Sequence, residues 1–231
     1  MQKALLTDVA PSFPGLDVGF AYHPARQLGG DFYDFLPYDE HRLAVAVGDV
    51  TGKGAAAALH GSLAIGMLRG HVVEHPCEPQ EMLEHLNVDL RQQRLENRFV
   101  AMVYGLFDAR TRKLTLANAG FTRPLLVREG QVEPIPLTGV PLGLLPGISY
   151  DEQTLALRPG DIVVLGSDGV TESVDGQCEE FGERRMHGLL AGMADRPAAE
   201  IADELLAASE RFHSPDSGDA DDRTVVILKV R

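Results

Sequence analysis

Arg42-Leu43-Ala44-Val45-Ala46-Val47-Gly48-Asp49-Val50-Thr51-Gly52-Lys53-Gly54 joins an apolar segment to a glycine-rich turn. The β-branched run over residues 42–47 predicts a strand that ends at Gly48-Asp49. The turn then opens a predicted helix over residues 55–71, which is apolar on most faces, as in helices buried against other elements. The glycines allow the backbone to bend sharply and allow the Val50 carbonyl to face a ligand beside the Asp49 carboxylate.

Three further aspartates lie in short turns beside segments that are typical of strands. They are Asp31 in Gly29-Gly30-Asp31-Phe32-Tyr33-Asp34, Asp168 in Ser167-Asp168-Gly169-Val170-Thr171-Glu172, and Asp221 in Asp221-Asp222-Arg223-Thr224. Mg²⁺ and Mn²⁺ prefer oxygen ligands, and aspartate offers a short, stiff carboxylate. We therefore expect folding to bring these aspartates and Asp49 into one acidic cluster that holds metal.

Each of these aspartates also has a simpler interpretation. Asp31 could cap a hairpin turn, and the sequence around Asp168 is a common turn. Asp221 and Asp222 could belong to a solvated acidic loop that also contains Asp216 and Asp219. The abrupt start of an apolar strand at Thr224 instead favours a ligand at a strand edge.

Composition limits the class of protein. The 231 residues show no linker and no internal repeat, so we expect one domain over residues 1–231. With 34 acidic and 21 basic residues the net charge is −13, which argues against nucleic acid as a partner. The acidic excess indicates ordinary solubility, and part of it could be a metal cage. Cys77 and Cys178 have no C-x-x-C partner, which argues against a disulfide framework or a zinc site. No apolar run approaches the roughly 18 residues of a membrane span, and the start lacks a signal-peptide pattern, so we expect no membrane segment and a cytoplasmic protein.

The pattern of apolar residues predicts nine strands and four helices. The predicted strands are 16–22, 32–36, 42–47, 99–107, 113–117, 125–128, 153–157, 161–165 and 223–230, and the predicted helices are 55–71, 80–95, 181–193 and 198–212. We expect the first three strands to be consecutive and antiparallel, and strands 153–157 and 161–165 to form a hairpin around Arg158-Pro159-Gly160. This order predicts an α+β fold of mostly antiparallel sheets with helices layered on them.

Several other motifs fail on spacing or residue type. Residues 48–54 are one residue too short for a phosphate-binding P-loop, and Gly54 replaces its metal-binding Ser or Thr. His71 and His75 have the i, i+4 spacing of two metal ligands but lack the Glu and third ligand of a metalloprotease, so they are interpreted as polar positions near a helix end. Asp34 would lie on the opposite strand face from Asp31 and is a weaker ligand candidate. Residues 166–169 do not form a G-x-S-x-G nucleophile elbow.

Together the motifs resemble the SpoIIE/RsbU-type branch of the PP2C-like, metal-dependent serine/threonine protein phosphatases. The resemblance runs from about Gln2 to the last strand and includes the aspartate motifs, Ala117-Asn118-Ala119-Gly120 and Pro141-Leu142-Gly143-Leu144. It implies a sandwich of two antiparallel sheets flanked by helix pairs, with two Mn²⁺ or Mg²⁺ ions at one edge.

The resemblance also implies a role for each acidic residue. Asp49 would bridge both ions, and Val50 would offer its carbonyl oxygen. Asp168 and Asp221 would hold one ion, and Asp31 would support the other through water. Asp222 stands where many relatives carry Asn, so it ranks second to Asp221. The catalytic set is therefore expected to be Asp49, Asp168 and Asp221.

The implied reaction is hydrolysis of phosphoserine or phosphothreonine on a partner protein by a water that two metal ions activate. The implied substrate is a phosphorylated STAS-type anti-anti-sigma factor in a partner-switching signal-transduction pathway, such as one that controls a stress response. A sensor domain or activator protein would lie upstream, and the helix pair over residues 55–95 would form a homodimer and shift. The alternatives are a non-catalytic phosphoprotein-binding module and a two-metal phosphodiesterase or nucleotidase.

The chain departs from relatives of the PP2C class at three places. Thr51 stands where eukaryotic-type relatives place a His that serves as general acid. Those relatives also grip phosphate with an N-terminal Arg, and Arg26 lies near that place without an assigned role. Gly120-Phe121-Thr122-Arg123 replaces a Gly-His-Asn type of sequence, which would alter the rim around the substrate.

Overall fold

The computed structural model describes residues 6–93, 98–214 and 220–231. In this part of the chain it contains ten strands and five helices. The strands are β1 Leu16–His23, β2 Phe32–Pro37, β3 Arg42–Val50, β4 Val100–Asp108, β5 Lys113–Ala119, β6 Leu125–Arg128, β7 Gln131–Pro134, β8 Glu152–Ala156, β9 Ile162–Gly166 and β10 Arg223–Val230. The helices are α1 Ala55–Glu74, α2 Pro79–Gln92, α3 Asp168–Thr171, α4 Gly182–Gly192 and α5 Ala198–Phe212.

The strands form two five-stranded sheets in which every neighbouring pair is antiparallel. One sheet has the order β1-β10-β9-β6-β7 and the other the order β2-β3-β4-β5-β8. Helices α1 and α2 pack on the second sheet, and α5 packs over β1 and β10 of the first, with α4 beside it. The predicted α+β sandwich with flanking helix pairs is confirmed.

The main core lies between the sheets and continues under α1 and α2. Apolar side chains of both sheets share one buried cluster, which includes Val45 and Val47 of β3 and Val226 and Leu228 of β10. A second cluster lies between the β1–β10–β9–β6 face and helices α4 and α5. Because β3 is covered on both faces, its residues form a nearly continuous apolar run instead of an alternating one.

Two of the predicted strand pairings are wrong. Strand β1 does not pair with β2 but with the last strand, from Leu16 opposite Val230 to His23 opposite Arg223. Strands β8 and β9 do not form a hairpin, because β8 pairs with β5 while β9 pairs with β10 and β6 of the other sheet. The short segment between β8 and β9 therefore crosses from one sheet to the other.

The structure adds two short elements that were not predicted, β7 beside β6 and the four-residue helix α3. The predicted end of the second helix at residues 94 and 95, the acidic residues Asp216 and Asp219, and the start at Gln2 lie outside the described residues. Among the residues that are described, no helix combines the length and apolar character needed to span a membrane.

Candidate metal centre

The predicted acidic residues come together at one end of the sandwich, where strands of both sheets begin or end. Asp31 directly precedes β2, Asp49 is the last residue but one of β3, Asp168 opens α3 two residues after β9, and Asp222 directly precedes β10. Strands β2 and β3 belong to one sheet and β9 and β10 to the other. The cluster therefore lies where the two sheets face each other, and it depends on how they pack.

Asp49 and Val50 face the turn at Gly30. A Cβ atom on Gly30 would lie 2.8 Å from Asp49 Oδ1 and 2.9 Å from the Val50 carbonyl oxygen, which is too close for any side chain. Only glycine therefore lets this turn approach the Asp49 carboxylate and the Val50 carbonyl so closely.

Burial and neighbouring negative charges raise the pKa of three carboxylates in the cluster. Burial, followed by the charges of Asp168 and Asp221, raises the pKa of Asp49 to about 7. The pKa of Asp168 is likewise raised, by burial and then by Asp221. Burial and the Asp49 charge hold the pKa of Asp31 well above its usual range. Like charges held together in a partly dry site favour neutralisation, and divalent cations supply that neutralisation without loss of the acidic oxygens.

Asp31 is anchored from the opposite sheet. It is almost fully buried, and Thr224 of β10 donates a hydrogen bond from Oγ1 to Asp31 Oδ2 at 2.6 Å. This contact joins the start of β2 to the start of β10. It fixes one carboxylate of the cluster relative to the strand that follows Asp221 and Asp222.

Asp221 and Asp222 occupy different surroundings although they are adjacent. Asp222 is buried, and its carboxylate accepts backbone N–H bonds from Ala25 at 2.7 Å, from Gly30, and from Asp31 at 3.4 Å. Asp221 is exposed, and its Oδ2 lies 3.3 Å from Lys53 Nζ. Asp222 therefore holds the turn that contains Gly30, whereas the Asp221 carboxylate is accessible to a ligand that displaces a lysine.

Arg223 and Gly169 set the approach of α3 to β10. A Cβ on Gly169 would lie 2.1 Å from the Asp222 carbonyl oxygen, so only glycine allows the two segments to come this close. The buried Arg223 donates from Nε to the Gly169 carbonyl at 3.3 Å and to Ser173 Oγ at 2.9 Å. Neither residue was predicted from the sequence to contribute to the site. The signal for Gly169 was its place directly after Asp168, and Arg223 gave none.

Two other positions from the sequence analysis lie in different surroundings. Asp34 is buried, and its Oδ2 pairs with Arg69 Nε of α1 at 2.7 Å. It therefore fixes α1 to β2, in keeping with its expected place on the opposite face from Asp31. Thr51 is exposed, and its hydroxyl donates to the Phe99 carbonyl at 3.1 Å.

The donor set fits hard divalent cations. It consists of carboxylates and one backbone carbonyl, all of them oxygen donors. Over residues 6–93, 98–214 and 220–231, no three His, Cys, Asp or Glu side chains already have the spacing of a finished ligand set. The acidic side chains are thus gathered at one edge of the sandwich without forming a finished ligand set.

A cleft with a volume of 420 Å³ lies near Asp168, although none of the acidic cluster residues lines it. Its walls include Ser167 and Gly166, which directly precede Asp168, and the altered rim residues Phe121, Thr122 and Arg123. Leu125, Pro134, Leu137, Val164 and Met186 add apolar surface. Arg123 is exposed at this cleft and supplies a positive charge, and the exposed Glu183 supplies a negative one. The cleft is large enough for a few residues of a peptide chain next to the acidic cluster.

A family model described as Stage II sporulation protein E (SpoIIE) matches residues 39–231. Phosphoserine phosphatase RsbU of Bacillus subtilis is 31% identical over 174 residues, which are 74% of this chain and 51% of RsbU. Protein IcfG of Synechocystis is 25% identical over 80% of this chain and 34% of its own length. The chain thus spans about half of RsbU and a third of IcfG.

Solved structures agree with this comparison. The RsbU and RsbW domains of Rv1364c from Mycobacterium tuberculosis match with a TM-score of 0.83 and 27% identity, over 96% of this chain and 61% of theirs. The SiaA-PP2C domain of Pseudomonas aeruginosa matches with a TM-score of 0.88 and 22% identity, over 100% of this chain and 93% of its own. At that identity the second match shows the fold alone.

Proposed function

The chain belongs to the SpoIIE family, and from this we propose that it is a metal-dependent protein serine/threonine phosphatase. The observation that carries the proposal is a cluster of carboxylates from four separate stretches of the chain, in which burial and neighbouring charges raise the pKa of Asp31, Asp49 and Asp168. A relative of similar sequence is named as a phosphoserine phosphatase. We include all of residues 1–231 in one catalytic domain.

The proposed metal ligands are those of the acidic cluster. Asp49 would bridge two ions, and the Val50 carbonyl would contribute a further oxygen. Asp168 and Asp221 would hold one ion, with Asp222 ranked second to Asp221 because its carboxylate already accepts backbone N–H bonds. Asp31 would support the other ion through water.

Two bound Mn²⁺ or Mg²⁺ ions would supply an activated water and neutralise charge on the departing serine or threonine oxygen. The protein's own part is to hold the acidic oxygens at fixed places. Thr224 orients Asp31, Asp222 fixes the turn at Gly30, and Arg223 ties α3 to β10. Direct attack of water on phosphorus requires no nucleophilic side chain.

The cleft near Asp168 is the proposed place for the chain segment of a phosphoprotein. Its apolar walls fit side chains next to the phosphorylated residue, and Arg123 attracts an acidic group of the substrate. From the family resemblance we take that substrate to be a phosphorylated STAS-type protein. Replacing Arg123 with Ala is then expected to raise KM for a phosphoprotein and leave turnover of para-nitrophenyl phosphate unchanged.

The outer face of α1 and α2 is the proposed contact for a second copy, with control by an upstream sensor domain or activator protein. Leu59, Val73 and Val88 of these helices are 66%, 82% and 52% exposed, which is unusual for large apolar side chains. Lys53 lies just before α1 and contacts Asp221. A shift of the helix pair is therefore able to change the surroundings of a proposed metal ligand.

The decisive experiment compares turnover of candidate phospho-STAS proteins and of para-nitrophenyl phosphate in Mn²⁺, in Mg²⁺ and in excess chelator. We expect turnover that requires metal and that is lost in the Asp49→Asn and Asp168→Asn variants. Asp39→Asn is the control, because Asp39 is an acidic residue that pairs with Arg42 on the surface.

Full turnover in chelator, or in either cluster variant, would contradict the proposal. Binding of phosphoprotein without hydrolysis would indicate a non-catalytic module. A preference for nucleotides or phosphodiesters over phosphopeptides would indicate the two-metal esterase alternative.

A further inference from the structure

Four side chains of types that can bind metal line a pocket at the far end of the α1–α2 helix pair, although no three of them have the spacing of a finished ligand set. His71 and His75 lie one turn apart at the end of α1, and His85 and Asp89 lie one turn apart on α2. Residues at i and i+4 share a helix face. The two pairs face each other across the helix pair, where they line a pocket of 210 Å³ together with Val88. The sequence alone favoured polar positions near a helix end for His71 and His75, and it did not single out His85 or Asp89.

Contacts across the pocket already join the two helices. His71 Nε2 lies 2.6 Å from Asp89 Oδ2. The rings of His71 and His85 are stacked, with centroids 5.4 Å apart and planes inclined by 23°. His85 Nδ1 is buried and has no hydrogen-bond partner among the described residues. One imidazole is thus oriented by a carboxylate, and a second has an unsatisfied nitrogen.

His75 continues the helical spacing although it caps α1. Its backbone N–H donates to the His71 carbonyl at 2.8 Å, which is the i to i−4 bond of an α-helix. His75 is exposed, so its ring is able to turn without a change in packing. Although the φ of His75 is −144°, which is not helical, its side chain lines the same pocket as His71.

This pocket is separate from the acidic cluster. His71 lies 16 residues beyond Ala55, where α1 starts next to the cluster. At about 1.5 Å per residue this places it roughly 24 Å along the helix. The donors also differ in kind, because imidazole nitrogens suit Zn²⁺, whereas Mg²⁺ and Mn²⁺ prefer oxygen.

We propose that His71, His75, His85 and Asp89 bind one Zn²⁺ ion that links the end of α1 to α2. A tetrahedral ion with bonds of about 2.0 Å holds neighbouring donors roughly 3.3 Å apart. His71 Nε2 and Asp89 Oδ2 are at 2.6 Å, so they need to separate by only about 0.7 Å. The ion takes the place of the proton between these two atoms, and His75 and His85 turn toward it to complete the set.

Zinc bound here fixes the relative position of the two helices. A ligand that binds only the folded protein raises its stability, so Zn²⁺ is expected to raise the melting temperature. The same link restrains any movement of the helix pair. The inference does not depend on phosphatase activity, because it concerns different residues and a different class of metal.

The test is titration of the full chain with Zn²⁺ by calorimetry, in millimolar Mg²⁺ to occupy the acidic cluster. We expect one Zn²⁺ per chain and affinity losses of about tenfold or more in His75→Ala and in His85→Ala. Co²⁺ bound in place of Zn²⁺ is expected to give the visible absorption of a tetrahedral site. His41→Ala is the matched control, because His41 is a half-exposed histidine beside Glu40 on another surface.

Equal Zn²⁺ affinity in the wild type, His75→Ala and His85→Ala would overturn the proposal, as would the absence of binding below millimolar Zn²⁺. Circular dichroism checks that each variant is folded. His75→Ala keeps the test decisive even if His85→Ala disturbs the helix pair, because the His75 side chain is exposed.

Discussion

Replacing Gly30 with Ala is expected to disable the candidate metal centre without removing any proposed ligand. The added Cβ would lie 2.8 Å from Asp49 Oδ1 and 2.9 Å from the Val50 carbonyl oxygen, and ordinary contact begins only at 3.4 Å. The Asp49 oxygen would therefore have to move by about 0.6 Å. Metal–ligand distances tolerate only about 0.2 Å, so the displacement exceeds the tolerance of a bound ion roughly threefold.

We expect Gly30→Ala to weaken Mn²⁺ binding by about 10- to 100-fold, the range found when groups that position ligands are altered. The measurement is calorimetric titration of Mn²⁺ into metal-free protein, with the Mn²⁺ dependence of para-nitrophenyl phosphate turnover measured in parallel. Loss of affinity and of turnover together would locate the defect at the metal centre.

Gly66→Ala is the matched control. Gly66 is exposed in α1, and nothing lies within 4 Å of an added Cβ. This change should leave Mn²⁺ binding unaltered and stabilise the helix by about 0.5–1 kcal/mol. Wild-type Mn²⁺ affinity in a folded Gly30→Ala protein would refute the assignment of Asp49 and Val50 as neighbouring ligands.

Three further substitutions test what individual charged side chains contribute to metal binding, turnover and stability. Asp49→Asn is expected to lower turnover by more than about a hundredfold and to raise the melting temperature in chelator, because one of several mutually repelling carboxylates is removed. Lys53→Met is expected to tighten Mn²⁺ binding about fivefold, as measured by calorimetry. The Lys53 ammonium group lies 3.3 Å from Asp221 Oδ2 and repels an incoming cation by about 1 kcal/mol. Weaker binding in the variant would contradict this. Arg128→Met is expected to lower the free energy of urea unfolding at pH 7 by about 3 kcal/mol, because it leaves the buried Asp161 carboxylate without its partner at 2.5 Å. Burial alone would raise the pKa of Asp161, but hydrogen bonds from Arg128 and from the Arg158 backbone hold this pKa below its usual value. The difference in unfolding free energy between variant and wild type should therefore shrink as the pH falls through that lowered pKa.

Local sequence was sufficient to predict most strands and the acidic turns. The segment before Asp49 and the segment after Arg223 are rich in apolar, β-branched residues because both strands are buried. Buried strands require such residues, so they can be recognised from the sequence. The glycine-rich turns were also visible, since a sharp turn next to a carboxylate restricts the residues that fit. The family resemblance rested on these motifs, and the fold that it implied is confirmed.

Strand pairing could not be predicted in the same way. The turn signal at Arg158-Pro159-Gly160 predicted a hairpin, yet β8 and β9 belong to different sheets. A turn determines where the chain bends, whereas the hydrogen-bond partner of a strand depends on segments far away in sequence. Thus β9 pairs with β10, about 60 residues later, and its neighbour β8 pairs with β5.

Asp221 and Asp222 show, for single residues, the same difference between what the sequence determines and what the tertiary structure decides. The sequence determined that two acidic residues precede the last strand, and family resemblance ranked the first above the second. Only the tertiary structure decides that Asp222 points into the turn at Ala25 and Gly30 while Asp221 reaches solvent and Lys53. The contacts that separate them span more than 160 positions along the chain.

The histidines of α1 lead to the same conclusion. Their spacing was visible in the sequence, but His85 and Asp89 became their neighbours only when α2 packed against α1. Periodicity, turns and charge are properties of short segments, so the sequence by itself determined the elements and the types of donor. Distances between segments depend on how two sheets and four long helices pack, and that packing alone decided which donors share a site.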